Sequence, residues 1–191
     1  MKKISEKYKL SGLYTDKDDL GYLENFYDQF LINPHYENIL EIGCRDGGSI
    51  ALWEECFPQA NIFGADIIDY PQPRLAKKLI GNAYTGGFVT QFADNFFDVI
   101  IDDGPHTYPS FVFLLKEYYS KLKVGGAMII EDIIRPYKGM GVSEAQQNNL
   151  AILARDIGYK NIKTWDMTNK PRLKELRNKW SAGLYILTLS K

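Results

Sequence analysis

Phe97-Asp98-Val99-Ile100-Ile101-Asp102-Asp103-Gly104-Pro105-His106 is the stretch on which the fold turns. A short apolar run, Phe97 to Ile101, ends in an acidic pair and breaks at Gly104-Pro105. A second run, Ala127 to Ile130, ends in another acidic pair, Glu131-Asp132, with a helical segment, Pro109 to Leu122, between the two. Apolar runs of this length joined by a helix read as neighbouring parallel strands. In an open α/β sheet, ligands bind just outside the carboxyl ends of the strands. Two acidic pairs and His106 can therefore converge on one small volume, a candidate metal and acid–base site that points to an enzyme.

Outward from this stretch the same alternation continues. Strands are expected at Asn38 to Ile42, Asn61 to Ala65, Lys78 to Ile80, Asn161 to Trp165 and Gly183 to Leu189. Helices are expected at Asp18 to Ile32, Ser49 to Phe57, Tyr84 to Phe92 and Ser143 to Ile157, the last capped by Ser143 and ended at Gly158. The first carries Leu20, Leu23, Phe26, Tyr27, Phe30 and Leu31 at helical spacing and stops at Asn33-Pro34. Pro71 and Pro73 mark a loop. Strand–helix alternation to the end predicts an α/β, doubly wound, mostly parallel sheet of seven strands with helices on both faces. Only the final connection lacks a helical pattern, so the last strand is expected to run antiparallel.

The chain has 191 residues, which suits one domain, and 45% apolar content supports a real core. A net charge of −1 gives no reason to expect nucleic acid or an anionic membrane as partner. Cys44 and Cys56 do not make a disulfide framework, and Met1-Lys2-Lys3-Ile4-Ser5-Glu6-Lys7 lacks an apolar signal core. No window approaches a membrane-spanning length. A cytoplasmic protein is expected.

Glu41-Ile42-Gly43-Cys44-Arg45-Asp46-Gly47-Gly48-Ser49 follows the first strand and opens a helix. Glycines there permit close approach of a ligand to the backbone, or simply a tight strand–helix junction. Asp66 ends the second strand, where a carboxylate can accept both hydroxyls of a ribose. A dinucleotide site prefers G-x-G-x-x-G, with pyrophosphate on the helix N-terminus. Here Arg45 replaces the middle glycine, and Glu41 and Asp46 oppose a pyrophosphate. Acidic flanks favour a ligand with cationic parts, such as the ammonium and sulfonium of S-adenosylmethionine. Gly81-Asn82-Ala83-Tyr84 ends the third strand and can read an adenine edge, or serve as a plain turn.

With these blocks in hand, the sequence resembles class I S-adenosylmethionine-dependent methyltransferases. More narrowly, it is similar to the metal-dependent sugar O-methyltransferases of macrolide biosynthesis, of the mycinamicin and demethylmacrocin type. The resemblance rests on Thr15-Asp16-Lys17 with Gly21-Tyr22; on Ile39 to Ser49 with Trp53, Phe57-Pro58 and Ile62 to Ile67; on Phe97 to His106; and on Gly125-Gly126 with Ile130-Glu131-Asp132. It implies a single Rossmann-like domain over 1–191 with a short helical segment at about 1–35. It implies Asp103, Glu131 and Asp132 as Mg²⁺ ligands, with His106 as general base beside Asp103. Glu41, Gly43, Gly47, Ser49, Asp66, Ile67, Asn82, Ala83 and Asp102 are expected to line the methyl-donor site. Family members of the macrolide type carry a longer N-terminal region that helps build the substrate site. This chain has only a short helix there, which leaves the pocket either open or covered by a neighbouring subunit in a homo-oligomer. The acceptor is expected to be a small-molecule hydroxyl, of a sugar or glycoside.

The chemistry is consistent with that expectation. An alcohol is a poor nucleophile at neutral pH, and a metal that coordinates it lowers its pKa and orients it. Three carboxylates are hard oxygen ligands that suit Mg²⁺ better than Zn²⁺. A histidine within hydrogen-bond reach can take the proton. Blander readings stand beside these: Asp102 and Asp103 as caps of the helix near Pro109, Glu131-Asp132 as a solvated pair, His106 as a turn residue. The loop Ile133 to Val142 is a candidate lid. Lys170, Arg172, Lys174, Arg177 and Lys179 could meet an anionic substrate, although a solvated helix face is the simpler reading. Trp53, Trp165 and Trp180 are expected to pack. Rival functions are an NAD-dependent oxidoreductase, a non-catalytic nucleoside-binding relative, and a relative with the same sites running another reaction such as hydroxylation.

Overall fold

The computed structural model of the protein describes residues 3–32, 35–69, 77–134, 140–167 and 184–191. The N-terminal segment carries α1 (Ile4–Ser11) and α2 (Asp16–Asp19), then a π-helical turn (Leu23–Tyr27) running into α3 (Asp28–Phe30). The alternating part follows as β1 (Asn38–Ile42), α4 (Gly48–Cys56), β2 (Asn61–Asp66), β3 (Lys77–Ile80), α5 (Gly86–Val89), β4 (Phe97–Asp102) and α6 (Tyr108–Glu117). It ends with β5 (Leu122–Ile134), α7 (Glu144–Ile157), β6 (Lys160–Asp166) and β7 (Leu184–Ser190).

Among the described residues, seven strands form one sheet in the order β3-β2-β1-β4-β5-β7-β6. All neighbours pair in parallel from β3 to β5, and β7 is wedged antiparallel between β5 and β6. The fold is therefore the expected Rossmann-like, doubly wound sheet with its last strand reversed. Its order reverses between β1 and β4, which opens a crevice at their carboxyl ends.

Successive strand residues point to opposite faces, and two cores result. Leu40, Ile42, Ile100, Met128 and Ile130 meet Phe111, Leu114, Leu115 and Tyr118 of the α6 region and Leu150 and Ala154 of α7. On the other face, Ile39, Val99, Ile101 and Ile129 meet Trp53 of α4 and Tyr22, Leu23, Phe26 and Tyr27 of the N-terminal segment. Each buried Leu, Ile, Val, Phe or Met among them, taken out of water, contributes roughly 1.5–3 kcal/mol. Trp53 is fully buried, and Trp165 packs edge-on against Phe26.

Several helix ends follow from local chemistry. Ser143 and Gln146 cap α7 reciprocally, and Gly158 ends it in the left-handed conformation. Thr107 and Ser110 do the same for α6, so Asp102 and Asp103 are not needed as its caps. The helix expected at Asp18 to Ile32 is broken instead. Gly21 has φ 70°, and a π-helical turn replaces the α-helix beyond it. The helix expected at Tyr84 to Phe92 shrinks to Gly86–Val89, and β5 is longer than its apolar run. Pro71, Pro73, the segment Lys170 to Lys179, Trp180 and the middle of the loop Ile133 to Val142 lie outside the described residues. Among the described residues, no helix is long and apolar enough to cross a membrane.

Candidate active site

Strand parity places three carboxylates together. Glu41 shares its face of the sheet with Ile39, Asp103 continues from Val99 and Ile101, and Glu131 continues from Ile129. All three point toward the side covered by the N-terminal segment. There the ammonium of Lys17 lies 2.6 Å from Asp103 Oδ2, 2.6 Å from Glu131 Oε2 and 3.1 Å from Glu41 Oε1. Lys17, Glu41 and Glu131 are essentially sealed from solvent. Burial opposes the lysine's charge, but the three carboxylates outweigh it and hold its pKa well above the ordinary value. Burial pushes Glu131 and Glu41 up while Lys17 pulls both the other way.

Two tyrosines complete this inner layer. Tyr27 donates to Glu131 Oε1, and Tyr22 donates to Asp132 Oδ1. The two are five residues apart, so in an α-helix they would point well apart. The wider i→i+5 spacing of the π-helical turn brings them over one face. Burial raises the pKa of both phenols, which keeps them hydrogen-bond donors.

Asp132 should by parity face the opposite side from Glu131. Its backbone is left-handed, φ 51°, where the β5–β7 register shifts between Ile130 and Ile133. Such an irregularity re-aims a side chain, and it turns Asp132 into the same volume as Asp103. His106 is also left-handed, φ 52°, in the turn that follows Asp103. Its Nε2 lies 3.7 Å from Asp103 Oδ1 and 3.9 Å from Asp132 Oδ2. Its carbonyl accepts from Gly141 N at 2.6 Å, so the far end of the candidate lid is tied to the histidine's own turn.

Asp103, His106 and Asp132 thus each offer one ligand atom, and these atoms lie within 4.8 Å of one another. Two carboxylate oxygens facing one volume fit a hard divalent cation. Glu131, the third expected ligand, is set deeper, with Oε1 held by Tyr27 and Oε2 by Lys17. The group that gathers at the surface is therefore two aspartates and a histidine, backed by a glutamate–lysine pair.

The donor half lies at the ends of β1, β2 and β3. Gly43 and Gly47 take φ 84° and 79° in the turn after β1. A side chain at Gly43 would collide with the carbonyl of Asp103, and one at Gly48 with the carbonyl of Tyr14. These two glycines serve close packing of neighbouring backbone as much as approach of a ligand. Asp66 ends β2 half-buried and accepts from Arg45 N at 2.9 Å and Ile68 N at 3.0 Å, which fixes its orientation. Ile67 beside it is exposed, Ala83 is buried, and Asn82 accepts from Tyr84 N at 2.9 Å as a turn residue does. Asp102 faces the other side from Asp103. It accepts from Tyr84, while its Oδ2 is buried with no hydrogen-bond partner found among the described residues. Burial raises its pKa to about 6.

Glu41 and Ser49, also expected at the donor site, are bonded to each other. Ser49 Oγ donates to Glu41 Oε1 at 2.9 Å, and Trp53 Nε1 donates to Oε2 at 2.7 Å. Glu41 thereby links Ser49 and Trp53 to the ammonium of Lys17. Lys17, Tyr22, Tyr27 and Tyr84 were not among the expected site residues. Lys17 and Tyr22 belong to a block that carries the resemblance, but no role attaches to them from the sequence. The signal for Lys17 was indirect: three acidic residues at same-parity strand ends require a buried counter-ion.

No family model matches the chain. Among curated proteins it is 28% identical over 156 residues to mycinamicin VI 2''-O-methyltransferase of Micromonospora griseorubida, covering 67% of this chain and 39% of that protein. It is 26% identical over 156 residues to demethylmacrocin O-methyltransferase of Streptomyces fradiae, covering 67% of this chain and 40% of that protein. The chain thus spans about two fifths of the length of these curated relatives. Among solved structures, a SAM-dependent methyltransferase from Archaeoglobus fulgidus superposes with TM-score 0.67 at 14% identity, covering 98% of both chains. The MycE methyltransferase of the mycinamycin pathway, in complex with Mg and SAH, superposes with TM-score 0.68 at 18% identity. That match covers all of this chain and 54% of the other. The resemblance read from the motifs is thus found again in sequence relatives and in fold.

Proposed function

We propose that this chain, whose fold is that of the class I S-adenosylmethionine-dependent methyltransferases, transfers a methyl group to a hydroxyl of a sugar or glycoside with the help of Mg²⁺. The observation that carries the reading is the convergence of Asp103, His106 and Asp132 at the ends of two adjacent parallel strands, beside the glycine-rich turn. The names of the sequence relatives support the hydroxyl of a sugar as acceptor.

Asp103 and Asp132 would hold the cation, with Glu131 behind them. When bound, the cation lowers the pKa of a coordinated hydroxyl and orients it. His106 Nε2 takes the hydroxyl proton as the new O–C bond forms and the S–C bond of the donor breaks. The proton ends on the imidazole, and the sulfonium becomes the neutral thioether S-adenosylhomocysteine. Tyr22 keeps Asp132 in place, and the bond from Gly141 keeps the histidine's turn in place. Asp66 would accept the ribose hydroxyls, with Ile67 and the turn at Asn82 beside the base. Asp102 would face the donor from the end of β4.

Calorimetry separates this reading from a dinucleotide enzyme. S-adenosylhomocysteine should bind, and NADH should not. Binding of NADH alone would overturn the donor assignment.

A further inference from the structure

We propose that Lys17 is a tethered cation that competes with the divalent ion for the carboxylate cluster and holds its affinity down. The inference rests on the divalent-cation reading above and adds a regulator to the same site.

Three of the four clustered acids already touch this one ammonium: Asp103, Glu131 and Glu41. Asp103 is shared between the two halves. Its Oδ2 faces Lys17, and its Oδ1 faces His106 on the outer side. A divalent ion held by Oδ1 would share one carboxylate with a buried positive charge, and like charges that close repel strongly in a low-dielectric interior. The lysine also occupies Glu131 Oε2, which removes that oxygen from the outer ion. Its side chain is buried, and its backbone is anchored where it leaves the turn. Thr15 Oγ1 accepts from Lys17 N, and the carbonyl of Tyr14 is packed against Gly48 with no room for a β-carbon. The lysine therefore has two effects. It keeps the carboxylates assembled in the absence of a metal, and it restricts a divalent ion to the outer face made by Asp103 and Asp132.

The sign of the effect makes the inference testable. A lysine that only supported the fold would weaken cation binding when removed. A competing lysine would strengthen it. The experiment titrates Mn²⁺ into wild type, Lys17→Gln and Asp132→Asn at pH 8 by electron paramagnetic resonance, with thermal melts as the check on folding. The expected result is Mn²⁺ binding roughly tenfold or more tighter in Lys17→Gln than in wild type, alongside a lower melting temperature. Asp132→Asn should lose binding. Should Lys17→Gln fail to fold, wild type with carbon-13-labelled lysine provides the test. Bound Mn²⁺ must broaden the Lys17 ε-methylene resonance more than that of any other lysine, and a sharp Lys17 line overturns the inference. Binding in wild type that Asp132→Asn abolishes, but that is equal or weaker in Lys17→Gln, overturns this inference alone. No binding by wild type or by Lys17→Gln overturns the divalent reading and this inference together.

Discussion

His106 and Asp132 face each other from two left-handed residues, φ 52° and 51°, with Nε2 3.9 Å from Oδ2. Neither is glycine, and a non-glycine residue in this region costs of order 1–3 kcal/mol unless the surroundings enforce it. The enforcing contacts are visible: Gly141 N on the carbonyl of His106, and Tyr22 on the carboxylate of Asp132. Two backbone irregularities thus bring an imidazole and a carboxylate onto one volume.

His106→Ala should lower turnover by roughly 10²–10⁴-fold, the usual worth of a positioned general base. The affinity for S-adenosylhomocysteine should stay within about threefold. Steady-state kinetics and calorimetry check the two halves. An unchanged rate removes His106 as the base.

Gly43→Ala adds a β-carbon against the carbonyl of Asp103 at a residue with φ 84°. Denaturant unfolding should show a loss of roughly 1–3 kcal/mol or more. Because the displaced atom belongs to Asp103, cation affinity should fall as well. A variant as stable as wild type would contradict the packing described here.

Tyr27→Phe removes the hydroxyl that holds Glu131 Oε1 while keeping the ring packed beside Trp53. Leaving a buried carboxylate oxygen unsatisfied should cost about 1–3 kcal/mol in denaturant unfolding.

Asp102 gives a pH signature. Its pKa is raised from 3.8 to about 6 in the folded protein, chiefly by burial. The folded state therefore holds a proton between these values that the unfolded chain has lost, so this residue's contribution is full below about pH 4 and falls as pH rises through 6. Asp102→Asn should gain stability relative to wild type across that window, by up to about 3 kcal/mol. Urea melts of both proteins from pH 4 to pH 7 check it. A difference that does not change with pH would show that the carboxyl titrates normally.

Sequence periodicity was enough for the sheet and for which acids share an end of it. The alternation of Phe97 to Asp102, the proline after it and the second run at Ala127 to Ile130 are local signals, and they survive because tertiary packing agrees with them. The N-terminal segment was less legible. Gly21 and the π-helical turn answer to the need to set Tyr22 and Tyr27 over Asp132 and Glu131, a demand that no window of that segment contains. Lys17 was hidden for the same reason, since its partners lie on β1, β4 and β5. The parity rule also points Asp132 away from Glu131, and only the irregularity in β5 corrects it.

The proposed methyl transfer would depend on a divalent cation held at Asp103 and Asp132. The most direct measurement is transfer of a radiolabelled methyl group from S-adenosylmethionine to a panel of hydroxylated glycosides. It is run with Mg²⁺, with a chelator, and with Mg²⁺ restored. Label should enter an acceptor hydroxyl with Mg²⁺, stop with chelator and return with the metal. Full transfer in the presence of chelator would contradict the account.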